Sequence, residues 1–139
     1  MNSWGIPNWL EIEIRARDTV CVYCGTPLVE TADVHGSRKN VGTWEHIVND
    51  ASIVTRENIA RCCNSCNASK GSKNLVAWLS SDYCTNKRID GTSVADVVKN
   101  HIQVHESTVS EFKDLDNQGA SHHTNAALAV QLSVDEKRF

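Results

Sequence analysis

Two C-x-x-C pairs, Cys21-Val-Tyr-Cys24 and Cys63-Asn-Ser-Cys66, constrain this chain more than any other feature. Each pair turns tightly enough to aim two thiolates at one point. Together they supply the four sulfurs of a tetrahedral zinc site. Gly25, directly after the first pair, suits such a turn. Residues 25–62 lie between the pairs, more chain than a simple zinc ribbon needs, so the spacing predicts a folded insert. Cys62 offers a second spacing to Cys66, but the two-residue gap of the first pair favours Cys63. Cys62 and Cys84 are then expected as small buried apolar residues.

Six cysteines would suggest disulfides in a secreted chain. The segment Met1 to Asp18 carries Glu11, Glu13, Arg15 and Arg17 and lacks the apolar stretch of a signal peptide. The expected compartment is therefore the cytoplasm, where thiols stay reduced. No apolar run is longer than that from Leu75 to Leu79, far short of a bilayer span, so no membrane is expected as a partner. A length of 139 residues fits one domain. The net charge of −3 excludes a generic basic nucleic-acid coat. The charge is uneven, however. Gly36 to Lys73 holds six basic residues (Arg38, Lys39, Arg56, Arg61, Lys70 and Lys73) against three acidic ones. Gly91 to Phe139 holds four basic and seven acidic. A basic middle and an acidic tail allow a polyanion at one face only.

Hydrophobic spacing predicts a helix over Asn8 to Arg17, with Trp9, Ile12 and Ala16 on one face and Leu10 and Ile14 beside it. Leu28 to Val34 reads as short strand material, followed by a polar loop from Gly36 to Gly42. Thr43 to Val48 alternates and is rich in bulky and β-branched residues, so it reads as a strand. Asn49 to Glu57 reads as a polar loop, and Asn58 to Cys62 as an extended segment. A helix begins near Cys66, breaks at Gly71 and resumes from Asn74 to Ser81. Ser93 to Asp96 has the pattern of a capping box before an apolar stripe of Val94, Val97, Val98 and Ile102. Further helices are expected over Ser107 to Leu115 and Ala126 to Leu132, with Gly119 to Asn125 as a loop.

Between the cysteine pairs lies Trp44-Glu45-His46-Ile47-Val48-Asn49, and farther on Asn58. The run Cys63-Asn-Ser-Cys66-Asn67-Ala-Ser-Lys70 closes the segment. In order and spacing these elements resemble the HNH (His-Asn-His) endonuclease family, over about Pro7 to Leu79. The resemblance implies an α+β fold. It would be a small ββα-metal, treble-clef-like nuclease core, braced by zinc, with an N-terminal helix and a C-terminal helical extension. Residues 1–81 would form that core. Residues 82–139 would pack on it as the extension, with a tail free to be flexible.

The resemblance also implies roles. Zn²⁺ sits on Cys21, Cys24, Cys63 and Cys66. His46 is the general base, a role that suits an imidazole titrating near pH ~6.5. Glu45 and Asn67 present oxygens to a catalytic Mg²⁺ or Mn²⁺. Asn58 is a structural staple that aims His46. Glu45 stands where the family more often has Asp, and Asn67 where many members have His; Asn67 offers oxygen and so favours Mg²⁺ or Mn²⁺ over softer ions. The expected activity is nicking of DNA by phosphodiester hydrolysis, one strand per active site. Arg61, Lys70 and Lys73 are the expected contacts to the DNA backbone. The size suits a bacterial, phage or mobile-element nuclease and leaves room for a homodimer.

Blander readings compete at several positions. His101 and His105 have the spacing of two helical metal ligands, but no third ligand accompanies them, so a polar helix face is expected. His35, His122 and His123 read as loop residues. Trp44 is expected to pack against the zinc unit rather than stack on a base. The alternative function is a zinc-stabilised nucleic-acid-binding module that does not cut. Such a module has no need of Glu45, His46, Asn58 and Asn67 together. A thiol redox protein is excluded, because thiolates held on zinc do not shuttle electrons.

Overall fold

β1 (Gly42–His46) and β2 (Ile59–Cys63) pair antiparallel, in a register that sets Trp44 opposite Arg61, Glu45 opposite Ala60 and His46 opposite Ile59. The computed structural model describes residues 1–103, of which Met1–Lys99 form one unit. Alternation along β1 sends Trp44 to one face of the sheet and Glu45 to the other. β2 is buried along its whole length, so its apolar residues run on rather than alternate.

The N-terminal helix, α1 (Asn8–Arg17), has the bounds expected of it. Its inward stripe is different. Leu10 and Ile14 are fully buried and join Ile6, Trp44 and Ile59 in the core, whereas Trp9 and Ile12 are 60% and 70% exposed. The expected face of Trp9, Ile12 and Ala16 is corrected accordingly. Ile6, Leu10, Ile14 and Asp18 are successive i, i+4 positions, and the two end members are tied down. Ile6 is fully buried, and the Asp18 carboxylate accepts the backbone N–H of Arg61 on β2 at 3.0 Å. Arg17 adds a hydrogen bond to the Ile59 carbonyl at 2.8 Å. These ties choose the stripe that faces the sheet. Each fully buried Leu or Ile there contributes roughly 1.5–3 kcal/mol.

The turn after β2 opens α2 (Asn64–Lys70), whose N-cap is Cys63. The Cys63 sulfur accepts the Cys66 N–H at 3.4 Å, and the Cys21 sulfur accepts the Cys24 N–H at 3.5 Å. Gly25 adopts φ +77° to close the first turn, a left-handed value that favours glycine. The two turns bring Cys21, Cys24, Cys63 and Cys66 together, with all sulfurs within 4.8 Å of one another. A tetrahedron with arms of about 2.3 Å has edges of about 3.8 Å. The Cys24–Cys63 sulfur separation is 3.8 Å. The cluster therefore fits zinc, and the fold is a small α+β unit consistent with a zinc-braced core. Cys62, one residue away, points elsewhere: it is fully buried, and burial pushes its thiol up, so it stays a neutral apolar residue. Cys63 is instead held low by hydrogen bonds from Cys21 and Cys66, and the same contacts push Cys66 up, so the crowded sulfurs share their protons.

α3 (Leu75–Leu79) and α4 (Asp82–Lys87) follow, capped by the side chains of Asn74 and Ser81. Trp78 of α3 is buried between Tyr23 and Tyr83 and donates its ring N–H to Ser69 at 3.0 Å. That contact ties α3 to the first cysteine turn and to α2. The stretch Leu28 to Val34 makes only a one-residue bridge, Val29 to Val41, so the expected strand there is not formed. Nor does Ser93 form a capping box. Asp90 and Ser93 bond each other in a turn, and the carbonyl of Ala95 accepts the first helical N–H groups, from Val98 and Lys99. Residues 96–103 are helical. The segments expected as helices over 107–115 and 126–132, the loop 119–125, and His105, His122 and His123 lie outside the described residues.

The loop from residue 48 to residue 58 is closed by one side chain. Asn58 is 1% exposed; its Oδ1 accepts the Val48 N–H at 2.8 Å, and its amide donates to the carbonyls of Val48 at 3.2 Å and Ile53 at 3.1 Å.

Two outcomes are expected. Purified protein should hold one Zn²⁺ per chain by elemental analysis, and Cys63→Ser should lose it; a zinc-free folded protein would overturn the assignment. Asn58→Ala should lower stability by about 1–3 kcal/mol or more, read as the midpoint of urea unfolding, because it strands buried backbone groups. Asn58→Asp buries a carboxylate against the Val48 and Ile53 carbonyls and should destabilise at least as much at neutral pH.

Candidate active site

Glu45 is 6% exposed and faces α2 and the first cysteine turn. Its Oε2 accepts a hydrogen bond from the Tyr23 hydroxyl at 2.9 Å and lies 3.4 Å from the Lys70 ammonium. Lys70 is fully buried, and its Nζ also donates to the His46 carbonyl at 3.4 Å. Burial pushes the Glu45 carboxyl up, while the Lys70 charge and the Tyr23 hydroxyl pull it back. An acid in this position favours a cation beside it. Burial first, and then the same carboxylate, push the Tyr23 hydroxyl well up, so it stays protonated as a donor.

His46 ends β1. Its Nε2 is shut from solvent and has no hydrogen-bond partner among the described residues. Buried polar atoms are nearly always paired, so this unpaired nitrogen stands out, together with Thr55 Oγ1 and Arg61 Nε among the described residues. The next residue, Ile47, donates its N–H to the Asn58 carbonyl, and the Asn58 side chain then holds Val48. The chain on the C-terminal side of His46 is thereby fixed.

Asn67 is half-buried on α2, and its side chain makes no hydrogen bond among the described residues. Lys70 is one turn farther on and reaches Glu45, which sets this face of α2 over β1. Cys66 places Asn67 directly after the sulfur cluster. The structure thus brings Glu45, Lys70 and the helix carrying Asn67 to one face of β1. His46 leaves from the strand end, on the alternate side. The oxygen donors of Glu45 and Asn67 have the chemistry that Mg²⁺ or Mn²⁺ takes.

The basic residues divide. Lys73 is exposed, its ammonium resting on the Ser69 carbonyl at 2.8 Å. Arg61 and Lys70 are buried, which corrects their expected place on a nucleic-acid groove. Arg61 packs over the Trp44 ring at 5.3 Å and pairs with Glu30 at 3.3 Å; Lys70 serves Glu45. Arg15 also lies over Trp44, at 5.3 Å. Trp44 therefore packs against α1 and two guanidinium groups, not against the zinc unit. Gly42 makes room for this arrangement, since a side chain there would meet the Arg61 guanidinium at 2.6 Å.

Two residues were not singled out from the sequence. Tyr23 sits inside the first C-x-x-C pair, where a phenol in a buried turn must find a partner; that signal was present. Tyr83 donates to the Cys66 sulfur at 3.3 Å from α4, and no local pattern marks it.

No helix among the described residues is long and apolar enough to cross a membrane. No family model matches the chain, and no solved structure matches it. The chain is similar to a protein of Corynebacterium diphtheriae named CRISPR-associated endonuclease Cas9, at 30% identity over 106 residues. That match covers 71% of this chain and 8% of the relative, so the likeness is to a short segment of a much longer protein.

Proposed function

We propose that this chain is a metal-dependent HNH endonuclease that hydrolyses DNA phosphodiester bonds. The observation that carries the reading is the His46 imidazole, whose Nε2 lacks a partner at the end of a strand that has just presented a carboxylate. The likeness to a protein named an endonuclease supports it.

In this reading His46 takes a proton at Nε2 from the water that attacks the scissile phosphorus, and the bond to the 3′ oxygen breaks. Asn58 keeps the imidazole aimed by holding Val48. Glu45 and Asn67 are the residues to hold a divalent ion. Bound there, the ion would neutralise charge building on the phosphate and the leaving oxygen. Lys73 meets the DNA backbone. One chain carries one such site and nicks one strand. The Lys70–Glu45 pair favours a second reading, a binding module whose carboxylate already has its counter-ion and needs no metal.

Supercoiled plasmid separates the two. Wild-type protein should nick it with Mg²⁺ or Mn²⁺ and not in chelator mild enough to spare the zinc. His46→Ala should slow nicking by roughly 10²–10⁴-fold while zinc content and DNA affinity hold. Nicking by the folded variant at the wild-type rate would exclude His46 as the base, and no nicking by wild type would leave the binding module. Lys73→Ala should weaken DNA binding and reduce the salt dependence by about one charge, measured by titration at several salt concentrations. An unchanged slope would place the DNA path elsewhere.

A further inference from the structure

Glu45 is held from two sides at one oxygen. The Tyr23 hydroxyl and the Lys70 ammonium both meet Oε2, the His46 backbone also bonds the carboxylate, and no other side chain among the described residues reaches Oε1. Tyr23 belongs to the first cysteine turn and Lys70 to the helix that begins at the second. The carboxylate is therefore clamped by both halves of the sulfur cluster. Tyr23 itself has little freedom: it is 1% exposed, and its ring meets Trp78 edge-on at 4.9 Å.

We infer that Tyr23 is a positioning residue matched to Glu45: it fixes Oε2 so that Oε1 faces the divalent ion, and it is the reason a Glu, not an Asp, stands here. An Asp would be shorter by about 1.5 Å, one carbon–carbon bond. Starting from 2.9 Å, that retreat breaks the hydrogen bond to Tyr23. The extra methylene of Glu45 spans the distance from β1 to the cysteine turn. Through this contact the order of the zinc turn is passed to the ligand of the second metal, in the way that outer partners commonly orient metal ligands. The inference rests on the proposed active site.

The test is a thermodynamic cycle on the zinc-loaded full chain. Binding of Mn²⁺ is read from the loss of the free-ion electron paramagnetic resonance signal. The proteins are wild type, Tyr23→Phe, Glu45→Asp and the double variant, each checked for zinc content. Tyr23→Phe keeps the ring on Trp78 and should weaken Mn²⁺ binding by roughly 10-fold, within the usual range for an outer partner of a ligand. Glu45→Asp alone should weaken binding similarly, and the double variant should be no weaker than Glu45→Asp. Were Tyr23→Phe to misfold, the Glu45→Asp measurement still decides, since wild-type affinity in that variant contradicts the clamp. Unchanged affinity in zinc-loaded Tyr23→Phe, or penalties that add in the double variant, overturns the inference and leaves the active-site proposal standing. Absence of Mn²⁺ binding by wild type overturns both.

Discussion

The four-sulfur cluster is the constraint on which the rest of this structure depends. It joins a turn at residues 21–24 to a turn at residues 63–66 and closes everything between them into one loop. A structural zinc in such a site contributes roughly 10–16 kcal/mol in small peptides. A typical small domain has a net stability of only about 5–15 kcal/mol. A zinc bound here would therefore outweigh any single packing contact. The apolar core of Ile6, Leu10, Ile14, Trp44 and Ile59 lies on the α1 side of the sheet. The cluster does the equivalent work on the other side, where α2 is only seven residues long and too short to hold itself.

A zinc on the cluster would hold the two turns that supply partners to charges otherwise costly to bury. Glu45 and Lys70 are both out of water, and such a pair stabilises only when its geometry is supported from outside. The Tyr23 hydroxyl and the His46 carbonyl provide that support. The two groups that meet the Glu45 carboxylate, Tyr23 and Lys70, thus lie within about one turn of chain of the sulfurs. The same crowding brings the Glu45 carboxylate and the helix carrying Asn67 to one face of β1, next to the strand end that carries His46.

Much of this was legible in the sequence, for reasons that differ between elements. The cysteine spacing marked the brace, because two thiolates two residues apart have few other uses in a reduced chain. The bounds of α1 followed from periodicity, yet its inward face did not. Trp9 and Ile12 are as apolar as Leu10 and Ile14, and only the tertiary ties at Ile6 and Asp18 separate the two stripes. Strand alternation separated Glu45 from His46, but nothing local shows that Lys70 and Arg61 turn inward. Each finds a buried carboxylate or an aromatic ring far away in sequence, Glu45 for Lys70 and Trp44 for Arg61. A basic residue near a motif reads as a phosphate contact until its partner is known. Leu28 to Val34 failed as a strand for a related reason: its neighbours offer one bridge and no continuous edge.

Hydrogen exchange before and after zinc removal tests most directly whether the cluster organises the whole unit. The account predicts that stripping zinc under native conditions releases the amides of β2, α2 and the C-terminal turn of α1 together, at one free energy, since Asp18, Arg61 and Cys63 are linked in series through β2. Release confined to residues 20–27 and 63–66, with β2 and α1 still protected, would contradict it and make the sulfur cluster a local ornament on a fold that stands without it.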